Sequence, residues 1–219
     1  MSKKLIWDLP VRIFHWLLTL LIAGAWYTVK ISGDMDTHML IGQSILGLLI
    51  FRVLWGFLGP RYARFSSFVF SPGEIMNYAK SLLSRKGGDY AGHNPTGSLA
   101  VFAMMALVGV QVITGLFATD FDGYFQGPLN GLVSSATASS ITNIHYTNIN
   151  FLLALIGLHV VAILFYLLFK RENLITPMIS GEKQDAGGNL NAIAGSKLGL
   201  AIGLMVAAAA VVILLRGLG

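Results

Sequence analysis

Four of the five histidines in this chain fall within or beside long apolar stretches. His145 and His159 stand 14 positions apart at two points of one stretch, and His15 and His38 stand at the ends of two others. Ionisable and ligand-grade side chains are costly inside a membrane span, so by default they mark function. On an α-helix, 14 residues rise about 21 Å and complete nearly four turns. His145 and His159 therefore share one helix face at two depths. His38 opens the second stretch at its outer end, and His15 lies near the inner end of the first. The four sort into two levels, His38 with His145 outside and His15 with His159 inside.

Two bis-histidine sites stacked across a bilayer use all four side chains. Haem iron accepts axial imidazole, and a second imidazole leaves no open position, which favours electron transfer over oxygen binding. Drawing the ligands of one site from different helices is how bundle cores hold cofactors. The chain contains no cysteine, which excludes disulfides, thiolate-held zinc and iron–sulfur clusters. Taken singly, His38 or His145 reads equally well as a polar cap at a membrane interface. The match of levels and the 14-residue spacing favour the cofactor reading.

Other residues bear on the same site. Arg52 follows His38 by 14 positions, at the inner level and on roughly the same face. Its guanidinium could pair a haem propionate, or it could be a positive-inside arginine reaching for the interface. Gly42, Gly47, Gly109 and Gly157 would let a flat macrocycle approach the backbone, although glycine is common in membrane helices. Met104 and Met105 read as packing residues. His93, in GHNPTG, has no partner at its level and reads as a loop or cap residue.

The elements that must position these groups are membrane spans. Of the 219 residues 55% are hydrophobic and 11% charged, with mean hydropathy +0.70; a soluble domain carries about 25% charged residues. Five windows, roughly 11–29, 39–58, 99–118, 151–169 and 198–215, are long enough to cross a bilayer and are expected as helices. The first follows a basic flank without a small-residue cleavage pattern and is expected to be retained. With the N-terminus in the cytoplasm, nearly all Lys and Arg fall on the inner side and only Lys30 and Arg216 on the outer. The positive-inside rule thus predicts a multi-pass membrane protein with its N-terminus on the inner side and its C-terminus on the outer. The net charge of +5 follows from that topology and calls for no nucleic acid. Trp7, Trp26 and Trp55 are expected in an interfacial aromatic belt. In the inner loop, Ser71-Pro72-Gly73-Glu74 has capping-box spacing and predicts an amphipathic surface helix to about Ser84. Residues 119–150 read as an outer loop and 181–191 as a polar linker. Gly195, Gly199 and Gly203 suit close helix packing in the last span.

Several separated motifs resemble the family of bacterial cytochrome b561 and the b-type cytochrome subunit of nickel–iron hydrogenases. These are WDLPVRIFHW, LIGQSILGLLIFRVLWGFLGPRYARF after His38, GHNPTG, and HVVAILFYLLFKRENLITPMISGEK from His159. The resemblance covers about residues 5–183. It implies an all-α, integral membrane four-helix bundle holding two b haems. The axial ligands it implies are His15 and His159 for the inner haem and His38 and His145 for the outer one. Residues 1–183 would form this di-haem domain, 184–196 a linker, and 197–219 an extra C-terminal transmembrane helix outside the family's core.

The expected function is electron transfer between the membrane quinone pool and a periplasmic redox protein, such as a cytochrome c or a dehydrogenase or hydrogenase subunit. Quinone needs an apolar slot with a few polar groups; Tyr146 and Asn148 offer them outside, His93 and Asn94 inside. A relative of the family oxidises superoxide, which makes a superoxide:quinone oxidoreductase the first alternative. Capture of an anion benefits from a positive funnel, whereas the outer loops carry Asp34, Asp36, Asp120 and Asp122 against Lys30 and Arg216. That balance favours a cationic partner. A histidine-based proton or metal transporter is a remote alternative, since the span cores hold no Asp or Glu.

Overall fold

The computed structural model describes residues 2–82, 90–120, 122–185 and 190–218. The chain is mostly helical. In order it forms β1 (Ser2–Leu5), α1 (Leu9–Tyr27) with a π-helical turn Thr28–Ser32, and α2 (Met35–Leu58). There follow α3 (Pro72–Ser81), α4 (Pro95–Phe117) and α5 (Ser135–Phe165) with a second π turn, Tyr166–Lys170. The chain ends with α6 (Ile175–Ser180), β2 (Glu182–Asp185) and α7 (Leu198–Arg216). Five of these helices are long and apolar enough to cross a membrane: Leu9–Ser32, Met35–Leu58, Pro95–Phe117, Ser135–Lys170 and Leu198–Arg216. These correspond to the five expected spans.

The local chemistry at the helix starts is explicit. Ser71 caps α3 through Glu74 N, and the Glu74 carboxylate accepts from Ser71 N and Oγ, both at 2.7 Å. Those bonds hold the Glu74 carboxyl below the ordinary carboxylate range. The expected capping box is therefore present; α3 ends at Ser81, and Ser84 lies outside the described residues. Asn94 caps α4 by accepting from Gly97 N at 2.7 Å, and Pro95 takes the first helical position, where its lacking N–H costs nothing. Ser134 Oγ accepts from Thr137 N at 3.2 Å at the start of α5.

The chain divides into two compact units, to each of which all five long helices contribute. The first comprises Met1–Ile13, Leu54–Met104 and Leu155–Ala201. In it β1 pairs antiparallel with β2, Ser2 opposite Asp185. The Gly181 carbonyl accepts from Ile6 N and Trp7 N. Asp8 is buried and accepts from the indole of the fully buried Trp55 at 2.8 Å. Tyr78 and Tyr166 share a buried hydroxyl–hydroxyl bond of 2.9 Å, to which Asn94 Nδ2 adds a donor on Tyr166 at 3.0 Å. Burial and that bond push the Tyr78 phenol upward from its ordinary pKa.

The second unit comprises Phe14–Val53, Met105–Ala154 and Ile202–Gly219. Its connecting loop turns back over the C-terminal end of α4. Gly127 N donates to Ala118 O, Leu129 N to Leu116 O, and Asn130 Nδ2 to Phe117 O. Carbonyls that a helix end leaves unpaired are thereby satisfied by the loop. On α7, Ala208 is fully buried.

Four expectations are corrected. The loop assigned to residues 119–150 ends at Ser134, and α5 begins at Ser135; Ser, Thr and Asn suit loops in isolation, but here a capped helix start recruits them. Trp55 is no belt residue: its N–H is used on Asp8 inside the first unit, while Trp26 is exposed as expected. The segment 181–191 is not all linker, because residues 182–185 form β2. Gly47 and Gly109 face side chains, Val212 at 3.6 Å and Leu49 at 3.7 Å from an ideal Cβ, so they serve helix packing.

Candidate cofactor site

His38 and His145 come together in the second unit, with ring centroids 6.3 Å apart and planes at 89°. They project from α2 and α5. The ring of His145 is bounded by α4, where its Nδ1 lies 3.0 Å from the Gln111 carbonyl oxygen and 3.1 Å from Thr114 Oγ1. The Nδ1 of His38 lies 3.0 Å from the Ala25 carbonyl oxygen of α1 and 3.4 Å from Thr28 Oγ1. A carbonyl oxygen only accepts, so both rings carry their proton on Nδ1 and donate it there. Each Nε2 then bears the lone pair. On His145 that nitrogen accepts from Gln111 Nε2 at 3.1 Å, which requires the same tautomer. Gln111 is itself held: its Oε1 accepts from Asn148 Nδ2 at 2.7 Å, and Asn148 Nδ2 also donates to Leu107 O at 2.9 Å.

This geometry fits haem iron. Two imidazoles bound to one ion through nitrogens about 2 Å away have ring centres near the observed separation. A metal-binding histidine characteristically gives its other N–H to a carbonyl, as both do here. Among the described residues no three His, Asp or Glu side chains group to hold a metal ion. Two imidazoles are too few for a bare transition ion, but they complete an iron whose other ligands come from a macrocycle. Gly42, one turn beyond His38, has open space where a Cβ would point, and Gly115 lets the His145 ring approach α4, an ideal Cβ lying 3.2 Å from His145 Cε1.

The remaining expected residues are placed as follows. His15 lies in the second unit, half-buried on α1, its ring edge-on to Trp16 at 5.0 Å. His159 lies in the first unit, half-buried on α5. Arg52 is only 3% exposed, so it does not reach out to an interface. His93 packs between Trp7, at 4.8 Å, and Phe68, at 4.5 Å, a core role within the first unit. Tyr146 is exposed, whereas Asn148 is buried and engaged with Gln111 and Leu107.

Sequence reasoning passed over Gln111, Thr114 and Thr28. Gln111 had a legible signal, a polar amide in the middle of an apolar span. The threonines had none, because hydroxyls that bond back to their own helix are ordinary in such spans.

A sequence model of the family described as prokaryotic cytochrome b561 matches residues 6–181. The chain belongs to that family. As a cytochrome b561 it is a helical, multi-pass membrane protein and a b-type cytochrome of electron transfer, with haem b as cofactor. Among its relatives are proteins named as probable Ni/Fe-hydrogenase B-type cytochrome subunits. That of Rhizobium leguminosarum bv. viciae is 28% identical, over 81% of this chain and 87% of the relative. That of Bradyrhizobium diazoefficiens is 25% identical, over 82% and 85%. That of Rhodobacter capsulatus is 21% identical, over 81% and 80%. No solved structure matches the chain.

Proposed function

We propose that this cytochrome holds two b haems and carries electrons across the bacterial inner membrane, between the quinone pool and a redox protein on the periplasmic face. The observation that carries the reading is the His38–His145 pair, two imidazoles with ring centroids 6.3 Å apart whose Nδ1 protons are both given to carbonyls. These two side chains would hold the outer haem, and His15 with His159 the inner one. Haem b would supply a one-electron iron couple there, and two imidazole ligands would leave no position for oxygen.

The residues of the chain do the rest. Gln111 stands beside His145 Nε2, and the Asn148 amide holds it there. Arg52, buried on α2, offers a guanidinium to a propionate. Residues 1–183 would form the haem-binding part and 197–219 an added helix; of the expected 184–196 linker, residues 184 and 185 belong to β2. The distribution of Lys and Arg supports an N-terminus in the cytoplasm and a C-terminus in the periplasm. The names of the three relatives support a hydrogenase as the electron-exchanging partner.

The test is a haem-per-chain count with a reduced-minus-oxidised spectrum of the purified protein. Two low-spin haems are expected, with one remaining in His159→Ala and one in His38→Ala. One haem or none in the unmodified protein overturns the proposal.

A further inference from the structure

The two outer histidines are gripped in the same way by helices that are not their own. On α1, Ala25 offers its carbonyl to His38 Nδ1, and Thr28, three residues on, donates its hydroxyl back to that carbonyl at 2.9 Å. On α4, Gln111 offers its carbonyl to His145 Nδ1, and Thr114, again three residues on, donates back to it at 3.1 Å and to Val110 O at 2.6 Å. In both cases the threonine oxygen also lies within 3.4 Å of the imidazole Nδ1. Thr28 and Thr114 are both buried. A threonine bonded back to its helix is ordinary by itself. What is not ordinary is the repetition of one arrangement on two helices, each aimed at the Nδ1 of one member of a facing pair.

We propose that Thr28 and Thr114 are positioning residues that set the reduction potential of the outer haem. This rests on the assignment of His38 and His145 as its ligands. A histidine whose Nδ1–H is strongly accepted becomes a more basic ligand and favours the oxidised iron. Each threonine hydroxyl reaches the same carbonyl oxygen, Thr28 directly and Thr114 through a hydrogen it shares with Val110 O, and competes there with the imidazole N–H for electron density. The hydroxyl therefore restrains ligand basicity and keeps the potential up, while the carbonyl fixes the tautomer and ring direction. Two such restraints would act on one iron, one through each ligand.

The test is potentiometric measurement on the haem-loaded, full-length protein, read by visible and low-temperature EPR spectra. Thr28→Val and Thr114→Val keep the side-chain volume and remove the hydroxyl. Each is expected to lower the potential of one and the same haem component, by on the order of ten-fold in its reduced-to-oxidised ratio at fixed ambient potential, or about 59 mV for a one-electron couple. The other component stays in place. Thr28→Ser and Thr114→Ser, which restore the hydroxyl, return the value to that of the unmodified protein. Should a valine variant lose haem, the alanine variant at the same position is read by the same criteria. An unchanged or raised potential, or an equal shift of both components, overturns the inference. If the unmodified protein holds fewer than two haems, the failure lies instead with the ligand assignment.

Discussion

At His145 the Gln111 carbonyl, which can only accept, fixes the ring proton on Nδ1, and the Gln111 amide beside Nε2 agrees with that tautomer. A ring directed by that carbonyl has little freedom to yield, and this gives Gly115 its importance. A Cβ added there would lie 3.2 Å from His145 Cε1 and 3.6 Å from Nδ1. Where neighbours cannot give, overpacking costs about 1–3 kcal/mol. Gly115→Ala is therefore expected to push the imidazole off its carbonyl and to weaken outer-haem binding about ten-fold or more, leaving the inner haem in place. Haem count and spectrum during dilution report it, and a variant that holds both haems like the unmodified protein contradicts it. The four histidines were legible in the sequence because imidazole in an apolar span has few bland explanations. The grip on them was not: it is made by backbone carbonyls, which every residue has, and by threonines whose partners on other helices no spacing rule names.

Among the elements, the five spans were legible because apolar runs of that length have few other uses, and the α3 cap because Ser, Pro and Glu stand at fixed offsets. The extended start of α5 was not, since Ser, Thr and Asn between 135 and 150 serve a loop or a helix end alike, and only the Ser134 cap decides. β1 and β2 were hidden for a different reason. SKKL and EKQD are four residues each with no alternating pattern, and their pairing depends on the chain returning from α6. The loop over α4 makes a testable claim at this scale. A Cβ on Gly127 would come within 2.4 Å of the carbonyl oxygens of Gly115 and Leu116. Those atoms belong to a helix backbone and cannot rotate away. Gly127→Ala is expected to lift the loop and expose the end of α4, destabilising the protein by about 1–3 kcal/mol. A lowered melting temperature in detergent, with faster amide exchange at residues 127–130, would show this. An unchanged melt would mean that the loop does not depend on the close approach.

For the molecule as a whole, the question is where the cofactor-binding part ends. Among the described residues, none of the imidazoles, carbonyls or hydroxyls around the His38–His145 pair comes from α7. That helix buries Ala208 and sets Val212 against Gly47, which is packing without ligation. The segment before it is tied down more specifically. Tyr62 OH donates to Asn191 O at 2.8 Å, Ile193 N to Leu5 O at 2.9 Å, and Leu9 N to Ser196 Oγ at 3.0 Å. Each such bond contributes about 1 kcal/mol net. Two truncations separate the contributions. A chain stopped after Ser196 keeps all three bonds and is expected to bind both haems with unaltered spectra, melting lower only by the packing of α7. A chain stopped after Asp185 loses the three bonds as well and is expected to melt lower still, because Leu5 and Leu9 flank the start of α1 and lose their partners. Haem count and melting temperature on the two proteins decide the matter. Loss of a haem on stopping after Ser196 would place α7 inside the cofactor-binding part, and equal melting of the two chains would reduce the residues between to a passive tether.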